Sequence, residues 1–122
     1  MKHRIIFVDD SDTIRKFVAM GLRLKNYVID LASDGQEALE KIAVNKVELV
    51  ITDLNMPNMD GFELITNLRN DPEYVKIPII VLSTENQSDE MKKAMDLGAN
   101  SYLVKPFKID LIVKEIERLL VE

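Results

Sequence analysis

Short apolar runs alternate with helix-period stripes along the whole chain. Ile5-Ile6-Phe7-Val8, residues 28–32, residues 47–52, Ile79-Ile80-Val81-Leu82 and Tyr102-Leu103-Val104 are rich in β-branched and aromatic side chains, as strands buried on both faces are. Between them the apolar positions recur at helical spacing. Residues of about 12–25 put Ile14, Phe17, Val18, Gly21 and Leu22 on one face, behind Ser11 or Asp12 as N-cap. Asp34-Gly35-Gln36-Glu37 resembles a capping box and predicts a helix with Ala38, Leu39, Ile42 and Ala43 turned inward. Pro57 keeps Asn55-Met56-Pro57-Asn58-Met59 out of a helix. Asp60 with Glu63 opens a third helix that buries Phe62, Ile65 and Leu68 and ends at Asn70-Asp71-Pro72. A fourth runs over about 88–97 and stops at Gly98, a residue free to adopt positive φ. The last, about 108–121, buries Ile109, Ile112, Ile116, Leu119 and Leu120.

Five strand-then-helix units predict an α/β fold, a doubly wound five-stranded parallel sheet with five helices. Crossovers between parallel strands share one hand, so helices cover both faces. The expected order is 2-1-3-4-5, the flavodoxin-like arrangement, in which the first and third strands adjoin at the switch point. In such sheets the ligand crevice lies beyond the carboxyl ends of the strands. The polar residues that close strands meet there: Asp9 and Asp10, Asp53, Ser83-Thr84 and Lys105. Three carboxylates, a hydroxyl and an ammonium share one edge.

Composition narrows the picture. With 122 residues and 47% hydrophobic content the chain is sized for one domain, residues 1–122, and one core. The absence of Cys excludes a disulfide framework and a thiolate metal site. Met1-Lys2-His3-Arg4 leads straight into a strand-like run, which is no signal peptide, and no apolar run approaches the roughly 20 residues of a membrane span. A cytoplasmic protein without membrane insertion is expected. The net charge of -5 argues against direct nucleic-acid binding.

The acid cluster carries the chemistry. Two carboxylates about 5 Å apart repel by roughly 3 kcal/mol at an effective dielectric of 20, and Lys105 offsets only one charge. A hard divalent cation with oxygen ligands remedies this, and Mg²⁺ suits one or two carboxylates, several waters and a phosphoryl oxygen. Taken singly, each residue has a plainer reading. Asp9-Asp10 fit a helix N-cap, Lys105 before Pro106 fits a solvated lysine, Ser83 fits a backbone-satisfying hydroxyl and Tyr102 a half-buried strand aromatic. Agreement among four strand ends is what favours a site. His3 is expected to be solvated, and Met56, Met59, Met91 and Met95 to pack or to face a partner.

The ordered set Asp9-Asp10, Asp53, Ser83, Tyr102 and Lys105-Pro106-Phe107, with the loop Asp53-Leu54-Asn55-Met56-Pro57-Asn58-Met59-Asp60-Gly61, resembles the receiver domain of two-component response regulators. The resemblance covers essentially the whole chain and is nearest to single-domain chemotaxis regulators. It implies that Asp53 is the phosphoacceptor, taking its phosphoryl group from a histidine kinase. It also implies Mg²⁺ bound directly by Asp10 and Asp53, through water by Asp9 and by the Asn55 backbone carbonyl. Lys105 would hold a phosphoryl oxygen, with Lys105–Pro106 a cis peptide. Ser83 and Tyr102 would form the switch that alters the face of the fourth helix, fifth strand and fifth helix, bordered by Met91 and Met95. Partner binding there would be the output, with a flagellar motor switch one target in a chemotaxis-like role. The protein would be a monomer and no enzyme beyond its own phosphorylation and dephosphorylation.

Asn55, Thr84 and Glu85 match positions that tune phosphate lifetime. Two departures from the pattern stand out. Ser83 replaces the more frequent Thr of the family, and Thr84 stands where the family usually has Ala or Gly, which implies a branched side chain that would crowd the phosphoryl group. The last stripe ends at Val121, which predicts a stand-alone regulator with no output domain of its own; Ile109, Ile112 and Val113 are candidates for part of an exchange surface, but core packing explains most of that stripe. Two rival readings are a pseudo-receiver scaffold that is never phosphorylated and a small Asp-nucleophile phosphohydrolase. For the latter, Asp10-Ser11-Asp12-Thr13 is vaguely similar to the haloacid dehalogenase motif, but its Thr falls one position early and the chain has no room for a cap domain.

Overall fold

The apolar runs pair into one parallel sheet. The computed structural model describes residues 2–84 and 88–121, and these form β1 (Arg4–Val8), α1 (Asp12–Arg23), β2 (Val28–Ala32), α2 (Gly35–Val44), β3 (Leu49–Thr52), α3 (Gly61–Asn70), β4 (Ile79–Ser83), α4 (Ser88–Leu97), β5 (Ser101–Val104) and α5 (Ile109–Leu119). The strand order is β2-β1-β3-β4-β5, as the sequence predicts. Register decides what leaves the sheet together. Val8 faces both Ala32 and Thr52, so Asp9 and Asp53 emerge side by side. Their amides donate to Ala32 O (3.0 Å) and Val8 O (2.9 Å). Ser83 faces Val104, and the Lys105 amide donates to Ser83 O at 2.8 Å, which brings the fifth strand's exit to the same edge.

Side-chain alternation along the strands splits the core in two. Ile6, Val8, Val50, Ile79 and Val81 pack under α2, α3 and α4, with Ala38, Ile42, Leu64, Ile65, Leu68 and Ala94. Ile5, Phe7, Leu49, Ile51, Ile80 and Leu82 pack under α1 and α5, with Val18, Ala19, Leu22, Ile112 and Ile116. Helix faces depart from expectation at their margins. Phe17 is 54% exposed and lies against Phe107 with ring centroids 6.3 Å apart, while Ala19 takes the buried place. Ala43 is exposed. Leu64 is buried because α3 is flanked by both α2 and α4, which widens its covered face.

The helix starts follow local hydrogen bonding. Ser11 is the N-cap of α1, its Oγ accepting from Ile14 N at 3.2 Å. Asp34 caps α2 through Glu37 N (2.8 Å), but the Glu37 carboxylate accepts from Ser33 N (2.6 Å) and not from the Asp34 amide, so the box closes one residue early. The complete capping box belongs to Asp60 and Glu63 at α3. Gly98 turns the chain after α4 at φ 119°, where its carbonyl accepts from Arg69 Nε (3.0 Å) and Nη2 (2.8 Å).

Candidate functional site

The carboxyl edge of β1 and β3 gathers the acids. One carboxylate oxygen from each of Asp9, Asp10 and Asp53 lies within 4.8 Å of the others. Asp9, at 1% exposure, accepts from Ser11 N at 2.9 Å through Oδ1 and from Lys105 Nζ at 2.6 Å through Oδ2. Asp53 is also buried, its Oδ1 accepting from Leu54 N at 2.8 Å and its Oδ2 lying 3.4 Å from Lys105 Nζ. Asp10 is exposed. The Lys105 ammonium is therefore shared between two carboxylates, while a third stands beside them. Lys105–Pro106 is cis.

Burial pushes the Asp53 carboxyl above the usual carboxylate range, because the ionised form loses water. The Lys105 ammonium opposes that shift, the Asp9 charge adds to it, and the Leu54 amide opposes it again. The edge thus holds more negative charge than Lys105 neutralises, in a place too dry for water to screen it well.

Backbone packing fixes where Asp53 sits. Its carbonyl accepts from Thr52 Oγ1 at 2.8 Å, and Gly61 N donates to Leu54 O at 2.9 Å, folding the loop back on β3. A Cβ on Gly61 would stand 2.2 Å from Asp53 O, so this close approach requires glycine. The same loop is tied to α2 by Asn58 Nδ2, which donates to Asp34 Oδ2 at 2.9 Å, and by Gly35 N, which donates to Met59 O at 2.9 Å.

The other expected site residues fall around this group. Ser83 is fully buried at the end of β4, and Thr84 after it is exposed. Asn55 is exposed on the loop leaving Asp53. Tyr102 is half-buried on β5, packed against the core under α2, α3 and α4. Met91 and Met95 are exposed on α4, whereas Met56 and Met59 pack against the core. Glu85 lies outside the described residues.

His3 stays partly exposed, as expected, with its Nδ1 2.7 Å from Glu48 Oε2 where the start of β1 passes beside Glu48. Ile112 is fully buried in the core under α1 and α5, as the helical stripe predicts, so core packing and not an exchange surface accounts for it. Beside Lys105 and Thr84 there is instead an apolar recess of about 470 Å³ walled by Ile14, Phe17, Pro106 and Phe107. A larger cleft of about 670 Å³, bounded by residues 42–47 and 72–77, opens at the far end of the sheet, away from the acids.

Sequence reasoning missed the groups that hold the acids in place. The Ser11 and Leu54 amides carry no side-chain signal. Arg15, whose Nη1 donates to Asp9 O at 2.6 Å, stands next to Lys16 and looks like any other helix-surface cation. The only available hint is its place one helical turn beyond the N-cap.

A sequence model described as the response regulator receiver domain matches residues 5–117. The chain is 36% identical over 120 residues to response regulator MprA of Mycobacterium sp. (strain KMS), an alignment covering 98% of this chain and 51% of that protein. It is 38% identical over 118 residues to sensor protein EvgS of Escherichia coli K12, covering 97% of this chain and 10% of that one. The chain thus spans about half, or less, of these curated relatives. Among solved structures, chemotaxis response regulator CheY4 of Vibrio cholerae superimposes with a TM-score of 0.92 at 35% identity, covering 98% of this chain and 100% of that one. No helix among the described residues is long and apolar enough to cross a membrane.

Proposed function

The chain belongs to the family of response regulator receiver domains, and on that premise we propose that Asp53 accepts a phosphoryl group from the phosphohistidine of a partner histidine kinase. The observation that carries this reading is a buried carboxylate at the switch point of the sheet, 3.4 Å from a lysine ammonium and beside two further acids. In the transfer, an Asp53 carboxylate oxygen bonds to phosphorus while the bond from phosphorus to the imidazole nitrogen breaks. The electron pair of that bond stays with the departing imidazole, and the product on Asp53 is an acyl phosphate. Such a transfer needs charge neutralisation more than proton movement.

Lys105 is placed to hold one phosphoryl oxygen as charge builds on it. The donor set also fits a hard dication: it is all carboxylate oxygen, and its charge exceeds what Lys105 offsets. Asp10 and Asp53 would hold Mg²⁺ directly, Asp9 through water and Asn55 through its backbone carbonyl. When bound, Mg²⁺ supplies charge neutralisation to the phosphoryl oxygens.

The output reading follows from the same electrostatics. A phosphoryl group on Asp53 adds acceptor oxygens, the Ser83 hydroxyl moves to donate to them, and Tyr102 repacks on β5. The affinity of the α4, β5 and α5 face for a downstream protein then changes. Thr84, exposed beside Lys105, hinders attacking water, and Asn55 and Glu85 tune phosphate lifetime with it. In this reading residues 1–122 are one receiver domain, cytoplasmic and monomeric, and a chemotaxis-like role with a flagellar motor target is the finer assignment. The resemblance to CheY4 of Vibrio cholerae supports that assignment without extending to its partners.

Intact-mass spectrometry after incubation with acetyl phosphate tests the reading. The expected result is one added phosphoryl group that requires Mg²⁺, disappears in EDTA and is absent from Asp53→Asn. An unmodified wild type that also fails to bind beryllofluoride would leave the scaffold reading in its place.

A further inference from the structure

Asp10 is the least supported member of the acid cluster. Asp9 is held by Ser11 N and Lys105, and Asp53 by Leu54 N and Lys105. The Asp10 residue is exposed, and its carboxylate has no hydrogen bond or ion pair among the described residues, yet it stands within 4.8 Å of the other two. Its aim therefore comes from the backbone. The peptide joining Asp9 to Asp10 is planar, so the direction of the Asp9 carbonyl sets that of the Asp10 amide and limits where the Asp10 side chain can project.

That carbonyl is gripped. Arg15 Nη1 donates to it at 2.6 Å, and Arg15 Nη2 lies 3.3 Å from Asp12 Oδ1. The Arg15 side chain is only 18% exposed, and its own amide donates to Ser11 O at 3.0 Å in the first turn of α1. The guanidinium thus reaches back from a fixed helical turn to the peptide that carries Asp10.

We propose that Arg15 is a positioning residue for the acid cluster: by holding the Asp9 carbonyl it aims the Asp10 carboxylate at the site of the divalent cation. The assignment rests on the cation site proposed above. It also predicts a sign that charge alone does not. A guanidinium beside the cluster repels an incoming dication, so on Coulomb grounds its removal tightens Mg²⁺ binding. If Arg15 positions Asp10, its removal weakens that binding, as loss of an outer partner does at metal sites.

The experiment is an Mg²⁺ titration followed by two-dimensional NMR, with melting temperatures recorded for each protein. Arg15→Gln and Arg15→Met are expected to bind Mg²⁺ roughly tenfold more weakly than wild type. Arg15→Lys, which keeps the charge and a donor, recovers part of that loss. In an Asp10→Asn background Arg15→Gln costs nothing further, because the two act as one unit. Unchanged or tightened binding in the single variants overturns the assignment, and so does a full additional loss on top of Asp10→Asn. Unfolding of both Arg15→Gln and Arg15→Met would make Arg15 a fold residue and overturn it as well. A wild type that takes up no Mg²⁺ at millimolar concentration removes the cation site itself, a result distinct from any obtained with the variants.

Discussion

The two ends of the sheet hold similar numbers of charges and use them differently. At the amino end each of two acids has a side-chain partner of its own: Arg4 Nη1 reaches both oxygens of Asp30 at 2.9 and 3.1 Å, and His3 Nδ1 lies 2.7 Å from Glu48 Oε2. Asn45 Nδ2 adds a second donor to Asp30 Oδ2 at 3.3 Å, and the Arg4 amide donates to the other oxygen of Glu48 at 3.1 Å. At the carboxyl end Asp9 and Asp53 share Lys105, and Asp10 has no partner of its own among the described residues. The paired end is also the wetter one: Arg4 and Asp30 are 37% and 17% exposed, against 12% for Lys105 and 1% for Asp9. Matched charges in water have little to gain from a ligand. Unmatched charges in a dry place favour whatever brings the missing positive charge.

Removing the one shared cation is the strongest way to sharpen this contrast. Lys105→Met leaves Asp9 buried without its partner and is expected to cost about 3 kcal/mol of stability, in the range seen when one member of a buried pair is lost. Urea denaturation measures it, and Mg²⁺ should return part of the loss. A cost no larger than that of a surface pair would break the comparison.

Protons probe the same imbalance more gently. Because burial raises the Asp53 carboxyl, the native protein binds that proton at a higher pH than the unfolded chain does. Acidification through the raised value therefore stabilises the fold relative to neutral pH. The gain is complete once the pH is below the ordinary value of 3.8, where both states are protonated. Asp53→Asn removes this contribution and is expected to melt higher than wild type at neutral pH without Mg²⁺, a difference that closes as the pH falls. Equal pH profiles for the two proteins would show that Asp53 ionises without penalty.

The smallest effect is expected at the amino end. Asp30→Asn breaks a pair that solvent already reaches, at a cost of roughly 0.5–1 kcal/mol that shrinks in high salt. Thermal melts in low and high salt check this, and neither the cost nor its salt dependence should change with Mg²⁺. A loss comparable to that of Lys105→Met would mean that the two ends are not different in kind.

Some residues were readable because their signal is local. Ser11, Asp34 and Asp60 cap helices where short polar patterns place them, and Gly98 ends α4. Asp9, Asp10, Asp53 and Lys105 were readable because each closes an apolar run, which a parallel sheet turns into one shared edge. Other residues were not readable. Phe17 fits the helical period of the core face but lies at its rim against Phe107, and Leu64 is buried only because α3 has helices on both sides. Arg15 and Lys16 look alike in sequence, yet only Arg15 reaches back to Asp9 O, while Lys16 pairs with Asp12 in water.

The succession of strands and helices along the chain and the identity of the polar residues that close each strand were determined by the sequence alone, because hydrophobic period and strand-end chemistry are properties of neighbouring residues. The tertiary structure decided how Lys105 divides itself between Asp9 and Asp53, how closely Gly61 lets its loop approach Asp53, and what aims Asp10. Those outcomes depend on distances between segments far apart in the chain, and such distances are fixed only when the sheet register and the helix packing are complete.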